Sequence, residues 1–208
     1  MLKLFTVLAL AAMMATGAAA APQTILALGD SLTAGLGLGP ADAFPARLEA
    51  ALKAKGHDVK VINAGVSGDT ASDGAARLDW ALSEPVDAVI VELGANDALR
   101  GLPVAQAEQA LDRLLTALEQ KKLPTLLAGM KAPPNMGADY QDAFDGMYQR
   151  LAAKHPGVML YPFFLDGVAA DPRLNQPDGM HPNPAGVDVI VARMLPSVEQ
   201  LLGKASAN

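Results

Sequence analysis

The sequence predicts an α/β fold built on a parallel sheet with helices over both faces. Short apolar runs alternate with longer amphipathic ones, and the alternation recurs five times along the chain. The apolar runs carry little polar alternation, which is the pattern of strands buried on both sides. Every unusual motif then falls just after one of these runs. In an open parallel sheet that puts them together outside the carboxyl ends of the strands.

Residues 1–20 stand apart from the pattern. Lys3 precedes an apolar run from Leu4 to Met14, and small residues follow up to Ala18-Ala19-Ala20. That order is expected of a cleaved secretory leader, with cleavage after Ala20. The uninterrupted run is shorter than the roughly 20 residues a spanning helix needs. Residues 21–208 are expected to form a single domain with a full core.

Each element has its own warrant. TILALG (24–29) reads as a buried strand and ADAFPARLEAALKAKG (41–56) as a helix closed by Gly56. DVKVIN (58–63) is a second strand, and a helix is expected from about Thr70 to Leu82. VDAVIVELG (86–94) is rich in β-branched residues and apolar on both faces, so it reads as a central strand. PVAQAEQALDRLLTALEQKK (103–122) is a long helix with Pro103 at its start and lysines at its end. PTLLAG (124–129), a helix near 138–154, GVMLYPF (157–163) and a last helix from Pro184 complete the alternation. Asn183 is placed to cap that last helix.

Composition excludes several chemistries. With no cysteine, neither a disulfide framework nor a thiol nucleophile is available. A net charge of −6 disfavours nucleic acid and anionic membrane surfaces as partners. No histidine pair or carboxylate–histidine cluster has the spacing of a metal site, so no metal is expected. The GLGLG stretch (35–39) lacks the G-x-G-x-x-G spacing of a dinucleotide loop and starts too far beyond the strand, so no cofactor is expected either.

Four motifs remain, each weak alone. GDSLTAG (29–35) puts Ser31 just past the first strand. NAGVSGDT (63–70) brackets Ser67 with Gly65 and Gly68, and a glycine there offers its N–H with no side chain in the way. GANDALRG (94–101) presents the Asn96 amide. PDGMHPNPAG (177–186) fixes His181 three residues after Asp178. Any one of these is ordinary turn material. His57 and His155 lie in helix-to-strand loops at the other end of the sheet and are expected to be solvated. His181 alone joins the motif-bearing edge. A serine hydroxyl needs a base to become a nucleophile, and Asp178 can orient the imidazole that serves as one. The N–H groups of Ser31 and Gly68 and the Asn96 amide would then be three donors for an oxyanion.

Together these stretches resemble the sequence blocks of the SGNH/GDSL hydrolases, in order and across the region after the leader. INAGVSGDT (62–70), VELGANDALRG (91–101) and PPNMGADY (133–140) are similar to the periplasmic branch described as acyl-CoA thioesterase, lysophospholipase and arylesterase. The resemblance implies a three-layer α/β/α sandwich on a flavodoxin-like five-stranded parallel sheet. It implies Ser31 as nucleophile, His181 as base and Asp178 as its orienting partner, with Ser31, Gly68 and Asn96 forming the oxyanion hole. The expected activity is hydrolysis of fatty acyl esters, acyl thioesters, lysophospholipids and aryl esters. Leu36, Leu38, Leu102, Pro103, Met130, Pro133, Pro134 and Met136 are expected to line an acyl trench, with residues 130–139 as a substrate loop. The competing readings are a narrow arylesterase or carbohydrate O-deacetylase on the same scaffold, and a lipid-binding module without turnover. The expected protein is a periplasmic or secreted monomer without stable membrane anchoring.

Overall fold

The structure, a computed structural model, describes residues 22–206; the leader read at residues 1–20 lies outside them. Five parallel strands form one sheet in the order β2-β1-β3-β4-β5: β1 (Gln23–Gly29), β2 (Val59–Gly65), β3 (Ala88–Glu92), β4 (Thr125–Ala128) and β5 (Met159–Tyr161). The register runs Ile25 opposite Val61 on one side of β1 and opposite Ala88 on the other. Ile25, Leu26, Leu28, Val89 and Leu127 are wholly buried, as continuous apolar strands between two helical layers must be.

The long helices are α2 (Phe44–Ala54), α6 (Val104–Gln120), α7 (Ala138–Lys154) and α8 (Pro184–Ala205), with short α1 (Ser31–Ala34), α3 (Ala71–Ala76), α4 (Leu78–Ala81) and α5 (Ala95–Leu99) between strands. α2 packs on α8, while α3, α6 and α7 pack in succession, so the helices form two groups and the molecule three layers. α6 buries Ala107, Ala110, Leu111, Leu114, Leu115 and Leu118, the spacing of one helical face. Asn183 caps α8 by accepting the Gly186 N–H at 3.0 Å, with Pro184 in the first helical position as expected. No helix among the described residues is long and apolar enough to cross a membrane.

Several boundaries differ from the sequence expectation. The helix expected over 70–82 is broken at Arg77, where φ −103° and ψ 10° leave helical geometry. The Arg77 guanidinium reaches back to Asp69 at 2.6 Å and to the Gly29 carbonyl at 3.0 Å. The third strand stops at Glu92, and Gly94 at φ 117° turns the chain directly into α5. The fifth strand stops at Tyr161, which leaves Phe163 free to join the loops beyond it. Neighbours β1 and β3 both feed loops at the carboxyl edge, where the strand order reverses and a ligand crevice forms.

Candidate active site

The four motif-bearing loops meet at that edge. Asp30 caps α1 by accepting the Leu32 N–H at 2.9 Å, which sets Ser31 in the first turn. The N–H of a residue at that position has no partner within its own helix. On the opposite side, Gln176 ties the C-terminal loop to the first loop by donating to the Leu36 carbonyl at 2.7 Å. Ser31 and His181, far apart in sequence, thereby come within 2.9 Å, Oγ to Nε2.

Behind the imidazole, His181 Nδ1 is 2.7 Å from Asp178 Oδ2. Asp178 Oδ1 accepts the backbone N–H groups of Met180 at 2.9 Å and His181 at 3.0 Å. These hydrogen bonds, the His181 N–H foremost, hold the Asp178 carboxyl down at about 2. A carboxylate only accepts, so the shared proton sits on Nδ1 and Nε2 is left to accept from Ser31.

Gly68 lies across the cleft with φ 92°, a left-handed conformation that glycine alone takes without strain. Its carbonyl accepts from Arg100 at 2.7 Å, which fixes the orientation of that loop. Asn96 Nδ2 donates to Asp30 Oδ2 at 3.1 Å and to the Asp69 carbonyl at 3.0 Å. Asp30 is wholly buried. Burial pushes its carboxyl up to about 6, against the pull of the Leu32 N–H and the Asn96 amide.

Ser31, Gly68, Asn96 and His181 all open on one cavity of about 690 Å³. Leu36, Met130, Pro133 and Pro134 line it as expected. Leu102 and Met136 do not, nor do Leu38 and Pro103. Leu102 is held away by its backbone, whose carbonyl takes the Tyr140 hydroxyl at 2.9 Å. The Met136 methyl packs over Gly101 instead. In their place the segment after β5 supplies Phe163, Leu165 and Ala169, while Leu99 and Met180 form part of the rim. Placing the end of the fifth strand at Phe163 concealed that residue. Leu36, Leu99 and Met180 are 48%, 55% and 51% exposed, so the mouth is apolar right to the solvent. The 130–139 loop is tied to α7: Asp145 accepts the Ala132 N–H at 2.9 Å, and Gln141 donates to the Pro133 carbonyl at 3.1 Å.

The other histidines lie away from this edge, but one departs from expectation. His57 is half-buried with Nε2 3.1 Å from Glu199. His155 is not solvated: its side chain is 4% exposed, with Nδ1 and Nε2 each 2.9 Å from a carboxylate, Glu119 and Asp112. Neither carboxylate was visible from the loop sequence, because both belong to α6.

Comparison with known proteins gives the family of the chain. Residues 27–189 match the model of the GDSL-like lipase/acylhydrolase family. Esterase TesA of Pseudomonas aeruginosa is 40% identical over 88% of this chain and 91% of its own. The protein named thioesterase 1/protease 1/lysophospholipase L1 of Escherichia coli is 42% identical over 79% of this chain and 78% of its own. Among solved structures, AlinE4, described as an SGNH-hydrolase family esterase, is 47% identical with a TM-score of 0.75, covering 89% of this chain and 99% of that one.

Proposed function

This chain belongs to the GDSL-like lipase/acylhydrolase family and is a serine hydrolase of ester bonds, and from that premise we propose that Ser31, His181 and Asp178 cleave fatty acyl esters and thioesters through an acyl-enzyme. The observation that carries the reading is the 2.9 Å approach of Ser31 Oγ to His181 Nε2 at the floor of an apolar cavity.

His181 Nε2 takes the hydroxyl proton as Ser31 Oγ attacks the acyl carbon. The carbonyl oxygen becomes an oxyanion, met by the N–H groups of Ser31 and Gly68 and by the Asn96 amide. Asp178 stays ionised and stabilises the imidazolium that forms. As the tetrahedral intermediate collapses, the bond to the leaving alcohol or thiol breaks and His181 returns the proton to it. Water then repeats the sequence on the acyl-enzyme, releasing the fatty acid and restoring Ser31.

Leu36, Met130, Pro133, Pro134, Phe163 and Leu165 give the acyl chain an apolar channel. Acyl thioesters and lysophospholipids suit it, in keeping with the names borne by the Escherichia coli relative, and so do aryl esters. A carbohydrate deacetylase would want mainly polar walls, whereas here Ser67, Lys131 and Asn175 are outnumbered by apolar lining residues. The leader read at residues 1–20 assigns the enzyme to the periplasm or the medium.

The test is hydrolysis by one purified sample of p-nitrophenyl esters of graded length, acyl-CoAs and lysophospholipids. Preference for medium or long acyl chains supports the reading. Activity confined to acetyl esters replaces it with the narrow-esterase alternative.

A further inference from the structure

Beneath the turn that carries Ser31 lies an acid with no part in the proton transfers above. Glu92 ends β3 and is wholly buried. Its Oε2 accepts the Thr33 hydroxyl at 2.8 Å and the Asp30 N–H at 3.4 Å, so it holds the residues on both sides of Ser31. Its Oε1 is buried with no hydrogen-bond partner among the described residues. The position is built for this side chain: a Cβ on Gly29 would lie 2.1 Å from the Thr33 hydroxyl and 2.7 Å from Glu92 Oε2. Asp30 passes the constraint on, since its own carboxylate holds the Asn96 amide at 3.1 Å.

We propose that Glu92 is a positioning residue for ester hydrolysis: as a buried acceptor it anchors the turn of Ser31 and, through Asp30, aims the Asn96 amide at the oxyanion. This rests on the reading of Ser31 as nucleophile and Asn96 as oxyanion donor. Among the described residues no lysine or arginine is hydrogen-bonded to or ion-paired with Glu92; the titratable groups around it are Asp30, Asp97, Tyr148, beyond Asp30 His181, and Arg77, whose guanidinium reaches the Gly29 carbonyl at 3.0 Å. Burial first, and then the charge of Asp30, push its carboxyl well above the ordinary range. A neutral acid there still accepts from Thr33 and Asp30. Burial favours the neutral form, so an amide of the same shape, which keeps the acceptor, is expected to replace it.

Two variants of the full chain test the proposal with p-nitrophenyl butyrate as substrate. Glu92→Gln keeps the shape and the acceptor, so kcat stays within about threefold of wild type. Glu92→Leu keeps the bulk and removes the acceptor, so kcat falls about tenfold or more with KM nearly unchanged, the size of one lost hydrogen bond. A spectroscopic measurement on the unmutated protein covers the case in which Glu92→Leu does not fold. With ¹³Cδ-labelled glutamate, the Glu92 resonance is expected at the protonated position at neutral pH, and it disappears in Glu92→Gln.

Wild-type kcat in Glu92→Leu, equal losses in both variants, or an ionised Glu92 resonance overturns the proposal. Fluorophosphonate labelling of wild type distinguishes the two levels: if Ser31 is not the labelled residue, the underlying reading fails rather than the role of Glu92.

Discussion

Asn96 Nδ2 lies 3.1 Å from Asp30 Oδ2, so the amide read as an oxyanion donor already serves a carboxylate before any substrate arrives. Its second hydrogen goes to the Asp69 carbonyl at 3.0 Å. An ester carbonyl in the ground state competes poorly with a carboxylate for such a donor. An oxyanion competes well, because its charge appears as the transition state forms.

The Asn96 amide is therefore expected to act on turnover far more than on binding. Asn96→Ala should lower kcat by about 10²–10³ while KM moves little. Steady-state kinetics on a short p-nitrophenyl ester decides it, and an unchanged kcat would make Asn96 a turn residue only.

Asp178→Asn is expected to lose rate without losing all activity. Its side chain is 40% exposed, so water can take over part of its role in Asp178→Asn. A fall in kcat/KM of about 10²-fold is expected, short of the roughly 10⁴ seen for fully buried triad carboxylates. With its carboxyl held at about 2, Asp178 stays charged throughout any working pH. A general base accepts a proton only in its unprotonated form, so kcat/KM should rise with pH on the acidic side. A profile flat from about pH 5 to 9 would remove His181 from the role of base.

Chain-length preference should follow the cavity walls. Each buried methylene contributes about 0.8 kcal/mol, or roughly fourfold, so activity should climb with acyl length until the cavity is full. Ala169 lines the cavity from an exposed position, which makes Ala169→Phe a way to fill space without disturbing the core. The variant should shift the optimum to shorter chains and leave acetyl ester hydrolysis nearly intact. Equal losses on all lengths would show that Ala169 supports the catalytic groups instead.

His155 carries a prediction about stability rather than rate. Burial works against its charge, but hydrogen bonds to Glu119 and Asp112, and the charges of both, outweigh it and raise its pKa. A folded-state pKa above the unfolded one gives stability that is complete below the unfolded value, about 6.5, and is lost as pH rises through the folded one. The Tm deficit of His155→Gln should thus be largest near pH 6 and narrow toward alkaline pH. A deficit that does not vary with pH would leave His155 as a packing residue alone.

These cases show where sequence reasoning reached and where it stopped. The alternation of strands and helices was legible because continuous apolar strands and periodic helices are local signals. Ser31, Gly68 and Asn96 were legible together because each sits in a short motif just past a strand, and a parallel sheet gathers such positions on one edge; Asp178 and His181 lie well beyond the end of β5 at Tyr161, in the loop before α8 that returns to that edge. Glu92 ends an apolar run and belongs to no motif, so nothing local marks it; its burial depends on the missing side chain of Gly29 on the neighbouring strand. His155 was misread for the same reason, since its two carboxylates come from another helix. The four and five residues of α1 and α5 are too few to show a helical period. Leu102 and Met136 sat in apolar loops beside the cavity, but which way a loop side chain turns is settled by tertiary hydrogen bonds and packing.

The most direct test of the central claim is active-site labelling. A fluorophosphonate should react with the native protein at one residue, and peptide mass spectrometry should find the adduct on Ser31. Ser31→Ala should neither label nor turn over substrate, while keeping the thermal unfolding of the wild type. An adduct on another serine, or substantial hydrolysis by Ser31→Ala, would contradict the account.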